Sequence, residues 1–190
     1  MLDALLQKDV DLLIYLNNLG TVQWDGFWLI ITNKFSSIPL YLTLLLFTYR
    51  QYGLKKTFIA VLFVVLLITT SDQTSNLFKF GLKRLRPCYD EHISHLIRLV
   101  KENCGGRYSF FSAHASNAMA IAIFFSLTLT KRLKIIVPIL LIWAVLVAYS
   151  RIYVGVHFPL DVVTGALFGA LYGALFYKFF KLFLQKFISI

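Results

Sequence analysis

The chain contains five stretches of mainly apolar residues, each long enough to cross a lipid bilayer as a helix. At about 1.5 Å per residue, roughly 20 helical residues cover the hydrocarbon layer. We predict spanning helices, the first of them broken by polar residues, at 27–49, 57–79, 112–130, 135–153 and 160–180. Hydrophobic residues make up 58% of the 190 residues and charged residues 15%, which is more apolar surface than one soluble domain can bury. The sequence therefore predicts an all-α, polytopic membrane bundle.

The first twenty residues predict an amphipathic helix that lies in the membrane interface. Apolar residues recur there at helical spacing, while Lys8, Asp9 and Asp11 interrupt any spanning run. The segment also lacks the basic stretch and long apolar core of a cleaved signal peptide. Because no internal repeat divides the chain, we expect a single domain over residues 1–190.

The distribution of charge excludes several classes of function. The net charge is +10, but the basic residues lie at the ends of the apolar runs and form no separate polar face, which argues against nucleic-acid binding. The nine acidic residues are too few for a paired-carboxylate glycosidase or a carboxylate-rich metal site. His92 and His95 are neighbours in one loop without a third ligand, so we predict no metal ion and no cofactor.

The connections between spans predict the orientation of the bundle, because alternate connections lie on the same side of the membrane. One side, which includes a tight turn at Lys131, Arg132 and Lys134, carries nine Lys and Arg residues and no acid; the other side carries eight. We assign the first side to the cytoplasm, since the eight basic residues of the second side lie among groups with chemistry of their own.

Three clusters of reactive residues come to that second side. Lys79 and Arg86 are seven residues apart, two helical turns, so we expect both on one face at the end of the second span, where Pro87 stops the helix. Contact with lipid headgroups is the alternative for this cluster alone.

The other two clusters lie at the ends of the third to fifth spans. Ser112 and His114 open the third span, where free backbone N–H groups and the positive end of the helix dipole suit an anion; Ser112 is alternatively an ordinary N-cap. Arg151 ends the fourth span, and His157 precedes Asp161 by four residues. A carboxylate at that spacing can hold an imidazole in one tautomer, or it can cap the fifth helix.

Together these clusters predict a phosphate site. Like charges at a membrane boundary repel and lose hydration, so three cations in one mouth need a multiply charged anion to compensate them. Phosphate fits, because the cations and backbone N–H groups neutralise its oxygens while one imidazole attacks phosphorus and the other protonates the leaving oxygen.

The clusters resemble the motifs of the type 2 phosphatidic acid phosphatase (PAP2) family in order and spacing. The three elements are Lys79, six residues and Arg86-Pro87; then Phe111-Ser112-Ala113-His114; then Ser150-Arg151, five residues, His157, three residues and Asp161. Phe111 and Ala113 replace the Pro and Gly of the family. Ala113 keeps the backbone N–H that the family Gly lends to phosphate, so this departure concerns the local φ angle.

The resemblance implies a metal-independent lipid phosphatase with a phosphohistidine intermediate. His157 would be the nucleophile, Asp161 its orienting partner, and His114 the acid that protonates the leaving group and then activates water. The phosphoryl oxygens would be held by five groups: Lys79, Arg86, Ser112, the Ala113 N–H and Arg151.

We expect the enzyme in the bacterial inner (cytoplasmic) membrane, with its site facing the periplasm or cell exterior and its partners limited to lipids. Our preferred substrate is undecaprenyl diphosphate, with phosphatidylglycerophosphate and lipid A 1-phosphate as alternatives. An anion channel or transporter is the alternative of another class; it would need cations along the whole membrane depth, and it would leave the two histidines without a task.

Two further features concern packing. Cys88 and Cys104 bracket the loop between the second and third spans, and an oxidising compartment would join them, so we predict a disulfide, with two free thiols as the alternative. Glycines repeat every four residues at Gly165, Gly169 and Gly173, which lets another helix approach closely. We expect packing within the monomer, with a homodimer interface as the alternative.

Overall fold

The computed structural model describes residues 2–130 and 133–188, and this part of the chain is helical and contains no β-strand. The helices are α1 (Leu2–Asn18), α2 (Val22–Thr32), α3 (Ile38–Leu82), α4 (Ala113–Leu129), α5 (Ile136–Tyr153) and α6 (Pro159–Phe187). Three helical segments are long and apolar enough to cross a membrane: Lys34–Leu82, Ile136–Tyr153 and Pro159–Phe187; α4 is a shorter apolar helix. The predicted all-α membrane fold is confirmed. Lys131 and Arg132, predicted in a tight turn, lie outside the described residues.

The N-terminal helix α1 is attached to one end of the bundle. It packs against α5 and α6 with Leu13 fully buried, while Leu5 and Leu12 are exposed. The buried Asn17 side chain donates to the carbonyl oxygens of Ile152 and Tyr153, at 3.1 and 2.8 Å. The amphipathic helix is thus held on the end of α5 by hydrogen bonds as well as by apolar contact.

The first predicted span is divided as its polar residues suggested. α2 ends at Thr32, a short 3-10 turn follows at Lys34–Ser37, and α3 then begins. The break is capped, because the Asn33 side chain accepts the Phe35 N–H at 3.0 Å. A second break lies at Gly53, whose φ of 75° kinks the helix so that α3 consists of two arms.

The second arm of α3 differs from the prediction in two ways. We expected its polar half, residues 69–76, to face protein. Ser71 and Ser75 are buried and bond to Ser116 of α4 and to the Phe111 carbonyl oxygen just before α4, but Gln73 and Asn76 are exposed. The helix also ends at Leu82, before Pro87, where we expected it to stop, because Lys83 takes a left-handed φ of 50°.

The glycine repeat of α6 packs against α4 inside the monomer. A Cβ atom added to Gly165 would lie 2.5 Å from the Ser112 carbonyl oxygen, and one added to Gly173 would lie 2.6 Å from that of Ala120. All three glycines of the repeat are buried. The predicted monomer packing is confirmed. α4 covers this face within the monomer, and a homodimer interface through these glycines stays a prediction.

Candidate active site

The loop between α5 and α6 brings His157 beside Asp161. After α5 ends at Tyr153, the chain turns at Gly155, where φ is +77° and an added Cβ would lie 2.6 Å from the Arg98 carbonyl oxygen. Glycine is required there by both the angle and the contact. The chain then returns to Pro159, and the Nδ1 atom of His157 lies 3.3 Å from Oδ2 of Asp161. Both side chains are buried.

Asp161 performs both of the tasks that its position suggested. Its Oδ2 accepts the Phe158 N–H at 3.0 Å, which caps the start of α6, and the same oxygen faces His157. Ser109 Oγ also donates to Oδ2, and Arg84 Nη1 lies 3.1 Å from Oδ1. The carboxylate is therefore held at both oxygens.

The environment of His157 keeps its imidazole neutral near pH 7. Burial lowers the pKa of His157, and the charges of Arg86 and Arg151 act in the same direction, against the opposing effect of Asp161. When Nδ1–H donates to Asp161, the lone pair lies on Nε2. A neutral imidazole with a free Nε2 has the protonation state of a nucleophile.

The start of α4 lies beside this pair. Ser112 is the N-cap, with its Oγ accepting the Ala115 N–H at 3.4 Å, and its own N–H donates to the Asp161 carbonyl oxygen at 3.0 Å. Ala113 and His114 follow in the first turn, so their positions are tied to the start of α6. Phe111, in place of the family Pro, is fully buried and stacks on Phe168 with ring centroids 5.0 Å apart.

Arg86 reaches the site from a loop, which corrects our expectation of two residues on one helical face. Beyond Lys83 the chain is no longer helical, and Leu85 forms an isolated antiparallel bridge with Tyr108. Arg86 donates through Nη1 to the Cys104 carbonyl oxygen at 2.6 Å, and the structure joins Cys104 to Cys88 in a disulfide. Because Arg86 is 9% exposed, contact with lipid headgroups does not account for it.

The other two cations complete the cluster. Arg151 is 4% exposed and donates through Nη1 to Thr32 Oγ1, while its Nε is buried without a hydrogen-bond partner in the described structure. Lys79, in the last turn of α3, interacts electrostatically with Arg86 and Arg151. His114 interacts in the same way with Arg151 and His157. The structure thus brings the three sequence-predicted cations and both imidazoles together.

A cavity of about 570 Å³ extends from His114 into the apolar part of the bundle. Apolar side chains from four helices form most of its wall, among them Ile31, Val64, Ile121 and Trp143. Its polar end contains Asp72 and Asn117, which share a 2.8 Å hydrogen bond. The cavity can accommodate part of an apolar chain next to a polar group at His114.

The sequence profile of the PAP2 superfamily matches residues 58–184, well over half of the chain. The chain belongs to the PAP2 superfamily. The match extends across all three motifs, including the element in which Phe111 and Ala113 depart from the family pattern.

Known PAP2 and lipid phosphatase proteins resemble this chain over part or most of its length. A lipid A 4'-phosphatase from Bacteroides thetaiotaomicron is 35% identical over 169 residues, covering 88% of this chain and 74% of the relative. An undecaprenyl-diphosphatase from Sulfolobus acidocaldarius is 38% identical over 89 residues, 47% of this chain and 40% of that one. The fold resembles the crystal structure of a PAP2-type phosphatidylglycerolphosphate phosphatase from Bacillus subtilis, with a TM-score of 0.74 and 24% identity over 97% of this chain and 89% of that one.

This PAP2 protein is therefore a lipid phosphatase embedded in a membrane, and the anion channel or transporter alternative is set aside. Among residues 2–130 and 133–188, no group of three or more His, Cys, Asp or Glu side chains is placed to hold a metal ion. His92 and His95 are exposed in the loop after α3.

Sequence reasoning missed four residues of the PAP2 site: Arg84, Ser109, Thr32 and Lys101. Arg84 and Ser109 contact Asp161, Thr32 accepts from Arg151, and Lys101 interacts electrostatically with His114. Arg84 and Ser109 each lie two residues before a motif residue, and that proximity was the only available signal. Thr32 lies 119 residues from its partner, so no local pattern indicates it.

Proposed function

We propose that this PAP2 phosphatase removes the 4'-phosphate of lipid A through a phosphohistidine formed on His157. The observation that carries the mechanism is the buried His157–Asp161 pair, at 3.3 Å, inside a cluster of cations. Asp161 orients the imidazole, so that Nε2 attacks phosphorus while the bond from phosphorus to the sugar oxygen breaks.

His114 is proposed to move the protons of both steps. It protonates the leaving oxygen as the phosphohistidine forms. It then accepts a proton from water, which attacks phosphorus, breaks the phosphorus–nitrogen bond and releases inorganic phosphate with neutral His157. The negative charge of the bound phosphate favours the protonated form of His114 that the first step requires.

The five phosphate-binding groups of the sequence prediction keep their proposed tasks. Lys79, Arg86 and Arg151 surround the site, and the unpartnered Nε of Arg151 supplies a donor for a phosphoryl oxygen. Ser112 accepts at the helix cap and so retains its hydroxyl proton for the anion. The Ala113 N–H adds a donor at the positive end of the α4 dipole.

The apolar cavity supports a substrate that is a lipid. Its wall combines apolar side chains from four helices, and its polar end meets the catalytic cluster at His114. A saccharolipid can therefore place its phosphate at His157 and part of an acyl chain in the cavity. We propose that the site faces the periplasm from the inner membrane, where the Cys88–Cys104 disulfide is stable.

The similarity to a lipid A 4'-phosphatase over 88% of this chain changes our preferred substrate from undecaprenyl diphosphate to lipid A. Undecaprenyl diphosphate remains the second candidate, favoured by the shorter match to an undecaprenyl-diphosphatase.

The substrate proposal is tested by phosphate release from three lipids: lipid A, undecaprenyl diphosphate and phosphatidylglycerophosphate. We expect the purified protein to have its highest kcat/KM on lipid A, and mass spectrometry of the product to show loss of the 4'-phosphate with the 1-phosphate intact. Activity should survive EDTA and fall with vanadate, which adopts the geometry of phosphorus under attack. Faster turnover of undecaprenyl diphosphate would select the second candidate, and loss of activity in EDTA with recovery on adding a divalent ion would contradict the metal-free mechanism.

The two histidine roles predict different defects. His157→Ala should abolish turnover and prevent any phosphoryl-enzyme from forming. His114→Ala should also abolish turnover of lipid A, yet still transfer a phosphoryl group to His157 from a substrate with a good leaving group, because that step needs no proton. Acid-labile phosphate on the quenched enzyme measures the difference. His92→Ala, on an exposed loop histidine, is the control; wild-type turnover by either active-site variant would exclude the mechanism.

A further inference from the structure

The N-terminal helix α1 contributes a buried carboxylate to the neighbourhood of the active site. Asp9 is 4% exposed, and its Oδ1 accepts the Leu160 N–H at 2.8 Å in the first turn of α6. Its Oδ2 lies 2.7 Å from Nη2 of Arg84. Burial raises the pKa of Asp9, and the hydrogen bonds from Leu160 and Arg84 oppose this effect. The pKa remains raised overall, while partners on two other segments hold the carboxylate in place.

Arg84 connects this carboxylate to Asp161. Its Nη1 lies 3.1 Å from Oδ1 of Asp161, and its guanidinium carbon lies 3.7 Å from the centroid of the Phe158 ring. Both terminal nitrogens thus contact carboxylates, one from α1 and one from α6, while an aromatic ring covers the guanidinium plane. This arrangement holds Arg84 in one place and leaves it poorly suited to bind a phosphate oxygen.

The contact with Arg84 is one of those that hold the Asp161 carboxylate in its orientation beside His157. Oδ1 is occupied by Arg84, and Oδ2 accepts from Phe158 N–H and faces His157 Nδ1. If the plane of the carboxylate turned, the contacts at both oxygens would be lost together. We propose that Asp9 and Arg84 are positioning residues for the phosphatase reaction, fixing the Asp161 carboxylate so that it orients His157. This inference rests on the proposed roles of His157 and Asp161.

Through Asp9 and Arg84, α1 would then support the orientation of the catalytic pair. A misplacement of about 1 Å at a reacting group can cost about a hundredfold in rate. We therefore expect Arg84→Gln to lower kcat about a hundredfold on a water-soluble short-chain substrate and to leave KM unchanged. Arg84→Lys should recover part of the loss, because it retains the charge between the two carboxylates.

The matched pair for α1 is Asp9→Asn and Asp11→Asn. Both substitutions remove one negative charge from the same helix, but Asp11 is exposed and bonds only to Gln7 among the hydrogen bonds of the described structure. We expect Asp9→Asn to lower kcat and Asp11→Asn to leave it unchanged. Equal kcat for these two variants would overturn the part of the proposal that concerns α1. Each variant must elute as a folded protein in size-exclusion chromatography before its kcat is compared. If Arg84→Gln does not fold, the single variants Asp9→Asn and Arg84→Lys are used in its place.

A double-mutant cycle separates positioning from an independent structural role. If Arg84 acts through Asp161, adding Arg84→Gln to Asp161→Asn should lower kcat little further. If the double variant instead loses kcat by the product of the two single losses, the proposal is overturned. A raised KM with unchanged kcat in Arg84→Gln would overturn it as well. Wild-type turnover by His157→Ala or Asp161→Asn would instead contradict the proposed function; loss of activity in those variants with wild-type kcat in Arg84→Gln would contradict the positioning role alone.

Discussion

At the scale of single residues, burial decides the chemical state of His157. The imidazole is surrounded by protein and contacts one carboxylate, while Arg86 and Arg151 contribute positive charge nearby. A second positive charge at this position is unfavourable without a bound anion, so the free enzyme holds His157 neutral. The same charges attract phosphate, which links the state of the nucleophile to the affinity of the site.

The lowered pKa of His157 predicts a pH dependence of stability. Between pH 6.5 and the lower pKa of the folded state, the unfolded chain binds a proton at this residue that the folded protein excludes, so acidification destabilises the fold. For one such group, the free energy of unfolding falls by at most about 1.4 kcal/mol per pH unit. We expect the Tm of the substrate-free protein in detergent to fall less between pH 7 and 5 for His157→Gln than for the wild type. His92→Gln is the control, and an equal fall in all three proteins would contradict the expectation.

The spacing between Lys79 and Arg86 predicted correctly that both lie at the same end of a span, but for the wrong structural reason. Seven residues suggested two turns of one helix, but the left-handed Lys83 ends that helix and loop carbonyl oxygens hold Arg86. The motif was informative because it keeps the cations at one end of a span. The helical geometry was wrong because a single residue with positive φ redirects the chain.

At the scale of elements, the pairing of α4 with α6 positions the site. Small residues let the two helices approach so closely that the glycines of α6 meet carbonyl oxygens of α4. Ser112 N–H then reaches the Asp161 carbonyl oxygen at 3.0 Å, joining the first turns of both helices. The distance between the α4 start and His157 therefore depends on the glycine repeat.

Gly169→Ala tests this dependence. The added Cβ would meet the backbone carbonyl oxygen of Ser116, which cannot rotate away, so the helices must separate. We expect a loss of about 1–3 kcal/mol in the free energy of unfolding, with lower kcat. Gly81→Ala is the matched control, because Gly81 is also helical and has no atom within 4 Å of an added Cβ. A Gly169→Ala protein as stable as the Gly81→Ala protein would mean that the close approach is not required.

At the scale of the whole molecule, the loop between α3 and α4 connects orientation in the membrane to the geometry of the site. The Cys88–Cys104 disulfide closes a segment with a sequence separation of 16, and Arg86 donates to the Cys104 carbonyl oxygen. In the chain-entropy description, closing a loop of this size stabilises the fold by about 3 kcal/mol. A periplasmic location preserves that contribution, whereas a reducing cytosol removes it.

The oxidation state of the cysteines therefore reports on the orientation. We expect membranes isolated in the presence of an alkylating reagent to yield protein with neither cysteine labelled, and reduction under denaturing conditions to expose both to labelling. Mass spectrometry of the peptides containing Cys88 and Cys104 measures this. Label on both cysteines before reduction would contradict the disulfide and remove the main support for a periplasmic site.

The sequence alone determined the fold class, the membrane-embedded character and the phosphatase family, and it predicted the residues of the candidate site. These properties follow from features of short stretches of the chain. The length of an apolar run relates directly to bilayer thickness, and motif spacing places reactive residues at the ends of particular spans. The order of His157 and Asp161, four residues apart across a helix start, already suggested two of the contacts of Asp161, the one with the imidazole and the one with the helix start.

Only the tertiary structure decided which segments support those residues. Asp9 and Arg84 are 75 residues apart, and Arg84 and Asp161 are 77 apart, so no periodicity in the chain relates them. The partner of the glycine repeat was equally undetermined, since a close-packing surface fits a helix of the same chain or of a second copy. Side-chain contacts across such separations depend on how all the helices pack together. The pattern of residues within a short stretch of sequence contains no information on that packing.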